Sequence, residues 1–199
     1  MTKLRYALLG DIHSSLHDLT AVLHHISTEA PAAEVIGIGD LYECTVSKKN
    51  LHGQVYECVE DVIKHPDELD TLLTFPSIYG NQEERILLLT KQAEPLREFI
   101  RSLPETLRAG NATVIHGHQW KPEDRSNWID EHLPEAAVII HGHTHRSSYT
   151  QDEQLIVIQG DSEISLTGKR HIINVGAVVH SKEWLLYDDD KQTVRFMKA

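Results

Sequence analysis

The amino-acid sequence predicts an α/β protein built as a four-layer α/β/β/α sandwich, two mixed β-sheets flanked by helices, in a single domain over residues 1–199. Three observations predict it. Strand-length apolar runs alternate with helical stripes in the first half, and strand-like runs cluster in the second half. The chain, 199 residues with 40% hydrophobic and 25% charged residues, is also long enough to bury one sizeable core.

Residues 4–10 (LRYALLG) form an apolar run ending in glycine, and Ser14 and Ser15 can cap a helix that carries Leu19, Val22, Leu23 and Ile26 at helical spacing. EVIGIG (34–39) reads as a second strand. GQVYECVEDVIKH (53–65) places Val55, Val59, Val62 and Ile63 on one stripe and is read as a helix, and FPSIYG (75–80) as a third strand. Residues 81–103 suggest one or two helices broken near Pro95, since proline cannot donate inside a helix. The first half is thus βαβαβα.

In the second half, residues 112–117, 136–142, 154–160, 170–176 and 183–188 read as strands, with a helix around 123–133 separating the first two. Asp188–Lys191 reads as a turn into a last strand, 193–198, so the end is expected to be a β-meander.

Composition narrows the function classes. A net charge of −11 argues against broad, sequence-independent binding to nucleic acid, which requires Lys and Arg to neutralise backbone phosphates. No apolar run approaches the ~20 residues of a membrane helix, and the N-terminal segment lacks the apolar region and cleavage site of a secretory signal, so a cytoplasmic location is expected. Cys44 and Cys58, the two cysteines, form no CxxC pair and read as reduced packing thiols. A homo-oligomer is left open.

The candidate chemistry lies just after the predicted strands. Asp11 and His13 stand two apart after the first, and on extended chain such a pair faces one way. Asp40 follows the second strand, and Asn81 and Gln82 follow the third; VIHGH supplies His116 and His118, and HGHTH supplies His141, His143 and His145. Singly, each is ordinary, because an Asp after a strand is a common N-cap and Gly-Asn a common turn. Together they collect carboxylates, an amide oxygen and imidazoles at one end of the predicted strands, where open α/β sheets gather ligands. Borderline divalent ions take such mixed ligands.

With these residues in place, the sequence resembles the calcineurin-like metallophosphoesterase superfamily. The blocks stand in order as Asp11-Ile12-His13, Gly39-Asp40, Gly80-Asn81-Gln82-Glu83, His116 in His-Gly-His, and Gly142-His143-Thr144-His145, over residues 4 to about 180. Length, the His-Gly-His form and the turn Asn174-Val175-Gly176 look most like its small bacterial and archaeal phosphodiesterase branch. The resemblance implies two divalent metal ions, Mn foremost, with Fe, Zn, Co or Ni as alternatives. One ion would take Asp11, His13, Asp40 and His145, the other Asp40, Asn81, His116 and His143, with Asp40 shared. It also implies hydrolysis of a small phosphoester by a hydroxide between the ions, with Asp40, Asn81, Gln82 and His116 as the catalytic set. A phosphomonoesterase, a dinucleoside-polyphosphate hydrolase and a non-catalytic scaffold are the competing readings.

One position departs from the family pattern. Where the family usually has a histidine able to protonate the leaving group, this chain has Gln82, which can donate a hydrogen bond but not a proton. His17, His118 and His141 are candidate substitutes, each more simply read as a surface or supporting residue. The Asp-Arg-Gly block of the related protein phosphatases is absent, since Tyr42, Glu43 and Lys48 follow Asp40. Tyr42, Trp120 and Tyr149 could form a base-stacking wall, although packing is the simpler role for each.

Overall fold

The computed structural model describes residues 4–50, 53–160 and 162–199. The chain opens with β1 (Arg5–Leu9), α1 (Leu16–Glu29) and β2 (Glu34–Gly37), and two short strands, β3 (Glu43–Cys44) and β4 (Ile63–Lys64), pair with each other. Helices α2 (Leu69–Leu72), α3 (Asn81–Leu89) and α4 (Pro95–Ser102) follow. The second half runs β5 (Thr106–Ala109), β6 (Ala112–Ile115), α5 (Arg125–His132), β7 (Val138–His141), β8 (Ser148–Gln151), β9 (Gln154–Ile156) and β10 (Ile164–Ser165). It ends with β11 (His171–Asn174), β12 (Glu183–Asp188) and β13 (Thr193–Lys198).

Two mixed sheets result, ordered β10-β13-β12-β1-β2 and β5-β6-β7-β11-β8-β9. In the first, β1 is parallel to β2, with Ala7 opposite Val35, and antiparallel to β12, with Ala7 opposite Leu186. In the second, β7 lies parallel to both β6 and β11.

Side-chain alternation along the strands creates the layers. On β1, Ala7 and Leu9 pack with Leu19, Val22 and Ile26 of α1, while Tyr6 and Leu8 face the other sheet; Trp184 and Leu186 of β12 repeat the first pattern, and Leu185 and Tyr187 the second. On β7, Val138 and Ile140 enter the same inter-sheet core, and Ile139 packs outward with Ile172 against Ile129 of α5. Three apolar layers therefore separate helix, sheet, sheet and helix, the sandwich expected from the sequence. Truncating a fully buried inter-sheet side chain such as Ile140 to Ala would cost about 2–5 kcal/mol.

Four expectations need correction. The segment 53–65 is not a helix: it holds a 3-10 turn at Val59–Asp61, β4, and a single bridge from Tyr56 to Thr90. Val59, Val62 and Ile63 are buried all the same, and Val55 is exposed, so an apolar stripe with helical spacing is satisfied by irregular packing. The third strand shrinks to one parallel bridge, Gly37 to Ser77, beside Pro76, which has no N–H to extend a ladder. The predicted strand 154–160 ends at Ile156. The C-terminal meander is split, because β11 belongs to the second sheet while β12 and β13 form a hairpin in the first. Pro95 opens α4 at its first turn, where the missing N–H costs nothing. Among the described residues, no helix is long and apolar enough to cross a membrane.

Candidate metal centre

Asp11 follows β1, Asp40 follows β2, His116 follows β6, and His143 and His145 follow β7, so both sheets deliver side chains from the carboxyl ends of parallel strands. Asn81 is the first residue of α3. The loop after β1 is laced to the loop after β2: Ile12 N–H and His13 N–H both donate to Asp40 O at 2.9 Å, and Ser14 N–H donates to Leu41 O at 3.0 Å.

The extended geometry expected for Asp11 and His13 is replaced by a tighter one. Asp11 (φ 51°), His13 (48°), Asp40 (51°), His143 (74°) and His145 (58°) all lie in the left-handed region, at a cost of roughly 1 kcal/mol for each non-glycine residue. Such strain persists only where the surrounding structure enforces it, and here it turns consecutive short segments inward. Gly80 is required by close approach, because a Cβ there would fall 2.2 Å from Asp40 Oδ1.

Two groups of ligand-type atoms converge, each lying within 4.8 Å of one another: Asp11, His13 and His145, and Asp40, His116 and His143. In the first, His145 Nε2 is 3.1 Å from His13 Nε2 and 3.3 Å from Asp11 Oδ1. In the second, His116 Nε2 is 3.4 Å from Asp40 Oδ1. The other Asp40 oxygen, Oδ2, is 3.5 Å from His13 Nε2, so this carboxylate reaches both groups.

Several of these atoms are buried without a hydrogen-bond partner, namely Asp11 Oδ1, Asn81 Oδ1 and His116 Nε2. Orphaned buried acceptors are costly, and a bound cation is what such a set would satisfy. Neighbours fix the ligands' orientation. The His116 ring sits with Nδ1 2.7 Å from Ile38 O, so a donating Nδ1–H leaves Nε2 as the free lone pair. His13 pairs through Nδ1 with the Glu43 carboxylate, and His143 N–H donates to Asp11 Oδ2 at 2.8 Å.

The electrostatics fit the same picture. Burial works against charge on His116, yet the adjacent Asp40 carboxylate pulls its pKa up, to about 9. Asp40, whose burial alone would raise it, is held at about 2, chiefly by His116. Both shifts favour positive charge beside the buried Asp40 carboxylate, which a metal cation would supply. Burial, then the charge of His116, lowers His143, whereas the hydrogen bond to Asp11 raises His145.

Other candidates fall elsewhere. His141 is buried on β7, pushed down to about 3 by burial, with its ring edge-on to Trp120. His17 is exposed on α1, and His118 is half-buried, its ring 5.3 Å from that of His116. Tyr42 and Tyr149 are buried, and Trp120 packs on Trp128, so these aromatics do not form one stacking wall. Gln82 is buried, and its Oε1 accepts hydrogen bonds from Cys44 N–H and from the Arg85 guanidinium.

Sequence reading gave no role to Glu83 or Glu43. Fully buried Glu83 accepts from the N–H groups of Asp40 (2.9 Å), Leu41 (2.8 Å), Tyr42 (3.0 Å) and Gly80 (2.7 Å), tying two loops to one carboxylate. Its place in Gly-Asn-Gln-Glu, three residues after a glycine, is the capping-box spacing that could have disclosed it.

A metallophosphoesterase from Sphaerobacter thermophilus is similar in fold, with a TM-score of 0.69, 19% identity, and coverage of 98% of this chain and 88% of that one. A novel archaeal phosphodiesterase has a TM-score of 0.52 and 17% identity, covering 97% and 98% respectively. A putative diadenosine tetraphosphatase also has a TM-score of 0.52 and 17% identity, covering 99% and 94%. Among curated proteins, none matches the chain. The family described as the calcineurin-like phosphoesterase superfamily domain matches residues 4–183, a span that contains both ligand-type groups, and the chain belongs to that superfamily.

Proposed function

We propose that the chain is a two-metal-dependent phosphoesterase that favours phosphodiester bonds in small phosphoester or nucleotide-derived substrates. The reach of the Asp40 carboxylate to both ligand groups carries this reading. In it, Asp11, His13, Asp40 and His145 hold one divalent cation, and Asp40, Asn81, His116 and His143 hold the other. Cations bound there supply Lewis acidity, bringing a water close to ionisation at neutral pH and offsetting charge on the phosphate oxygens.

The chain's own residues have separable tasks. Asp40 places negative charge between two positive sites that would otherwise repel. Asn81 contributes a neutral oxygen, and the Ile38 carbonyl keeps His116 in the tautomer that presents Nε2. Phosphate recognition is local on a protein of net charge −11. Gln82 delivers no proton, so leaving groups that depart unaided are favoured. Mn is the ion to try first, with Fe, Zn, Co and Ni suited to the same oxygen and nitrogen donors.

The test is a metal-supplemented screen of aryl phosphodiesters, aryl phosphomonoesters, cyclic nucleotides and dinucleoside polyphosphates, with Asp40→Asn as the blank. Metal-dependent turnover of diesters above monoesters is the expected result. Preference for monoesters or polyphosphates would replace the diester assignment, and no metal-dependent turnover at all would leave a non-catalytic scaffold.

A further inference from the structure

Beside the second ligand group lies a cavity of about 270 Å³ that shares Asn81 and His143 with it. Its remaining polar wall is Lys48, Arg85, His118 and Glu84. Arg85 is 9% exposed and its Nε has no hydrogen-bond partner. The side-chain partner given to its guanidinium is the Gln82 amide oxygen, which is neutral, and no ion pair to Arg85 occurs among the described residues. A buried guanidinium without a counter-ion is unfavourable, and its planar fork matches phosphoryl oxygens.

Two further observations point the same way. His118 Nδ1 is likewise buried and unpartnered, and its ring is 6.2 Å from that of His143. The one carboxylate on this wall, Glu84, is turned toward His118, 3.7 Å from its Nε2. Lys48 is exposed at the opening. Gln82 also becomes intelligible. At a position where proton delivery is not available to it, its Oε1 fixes Arg85 while accepting from Cys44 N–H at 3.1 Å.

We propose that Arg85, oriented by Gln82 and flanked by Lys48 and His118, binds a second, non-scissile phosphoryl group next to the one engaged at the metal ligands. The substrates selected are small phosphodiesters that carry a further phosphoryl group linked to the scissile one. This rests on the phosphoesterase reading for the first phosphoryl group only. Arg85 and Lys48 are binding residues, and Gln82 is a positioning residue.

Calorimetric titration of the metal-loaded protein with imidodiphosphate and with inorganic phosphate tests the subsite, with metal content measured before and after. Imidodiphosphate is expected to bind roughly tenfold or more tightly than phosphate, and Arg85→Met to remove that advantage while changing phosphate binding less than about threefold. Arg85→Lys should restore part of it, and Gln82→Met should lose part of it with metal content unchanged. Equal losses for both ligands in Arg85→Met would place Arg85 on the scissile group and overturn the proposal, as would no loss for either. If Arg85→Met does not fold, Lys48→Glu on the exposed turn carries the test, with imidodiphosphate weakened about tenfold and phosphate little affected; an unchanged preference refutes the subsite. A wild-type protein that hydrolyses an aryl diester but holds imidodiphosphate no better than phosphate refutes the subsite and leaves the phosphoesterase reading standing. Absence of metal-dependent hydrolysis with an Arg85-dependent binding preference does the reverse.

Discussion

The two ligand groups differ in how they meet solvent and in what stands around them. In one, Asp40 and His116 are buried and His143 is half-buried, while in the other only Asp11 is buried, His13 is half-buried and the His145 side chain is 43% exposed. The outer neighbour of the exposed group is acidic, the Glu43 carboxylate on His13, whereas the buried group borders Lys48, Arg85 and His118. Burial removes competing water and strengthens each interaction with a cation, so the enclosed group should hold its ion more tightly and the open group exchange more readily. On the proposed reading, the basic border faces an incoming anion, the acidic one orients His13, and one shared carboxylate would join a retaining half and an exchanging half.

The sharpest way to break this comparison is to remove what the halves share. Asp40→Asn should lower metal-dependent hydrolysis on the order of a thousandfold and reduce bound metal in both halves. Metal analysis after gel filtration checks this, and loss from one half alone would mean that Asp40 does not join them. Next in size is the contrast between His116→Ala and His145→Ala. Under dialysis against a weak chelator, the first should lose affinity for one ion about tenfold to a hundredfold more than the second. Equal losses would show that burial does not separate the halves.

A smaller effect is expected from Glu43→Gln, which leaves His13 in place but removes the negative partner of its Nδ1. Competition with a chromophoric chelator should show the open half weakened about tenfold and the enclosed half unchanged. The smallest effect concerns the packing of α1, which begins just beyond His13. Asp18 accepts from His180 N–H (2.9 Å) and Ser15 Oγ–H (2.8 Å) and lies 3.0 Å from Lys182 Nζ. Burial alone would raise its pKa, but these partners hold it well below the usual carboxylate range. Because the folded value is depressed, the stabilisation is present above the unfolded pKa of about 4 and is lost as pH falls through the folded value. Asp18→Asn should therefore cost about 1 kcal/mol at pH 7, with the gap to wild type narrowing below about pH 4 in thermal melts. A constant gap would show that the side chain acts without its charge.

What could be read from the sequence was local in origin. The candidate ligands sit in short blocks whose glycines and polar residues follow apolar runs, so Asp11, His13, Asp40, Asn81, His116, His143 and His145 stood out without knowledge of the fold. The sandwich was legible for the same reason, because β1, β7, β11 and β12 are apolar runs on both sides. Contacts between distant segments were not legible. Glu43 meets His13 across 30 positions, and Glu83 reaches back 43 to Asp40. Strand β8, SYTQ, lacks the apolar run that marks a strand and is stabilised by β11 and β9 on either side. The 53–65 segment shows the converse failure, since helical spacing of buried residues does not require helical hydrogen bonds.

The four N–H groups gathered by Glu83 have a consequence for how this protein can change. The chain leaves the site at Asp40–Tyr42 and returns at Gly80, and one buried carboxylate clasps both points. Residues 45–79 are thus an excursion closed at its base, whose ends stay put whatever lies between them. Lengthening a closed loop adds little entropic cost, so insertions in its exposed stretches, away from buried Val59, Val62 and Ile63, should be tolerated while the candidate ligands keep their positions. Variation in those stretches would reshape the surface beside the site between related chains and leave the candidate metal ligands in place.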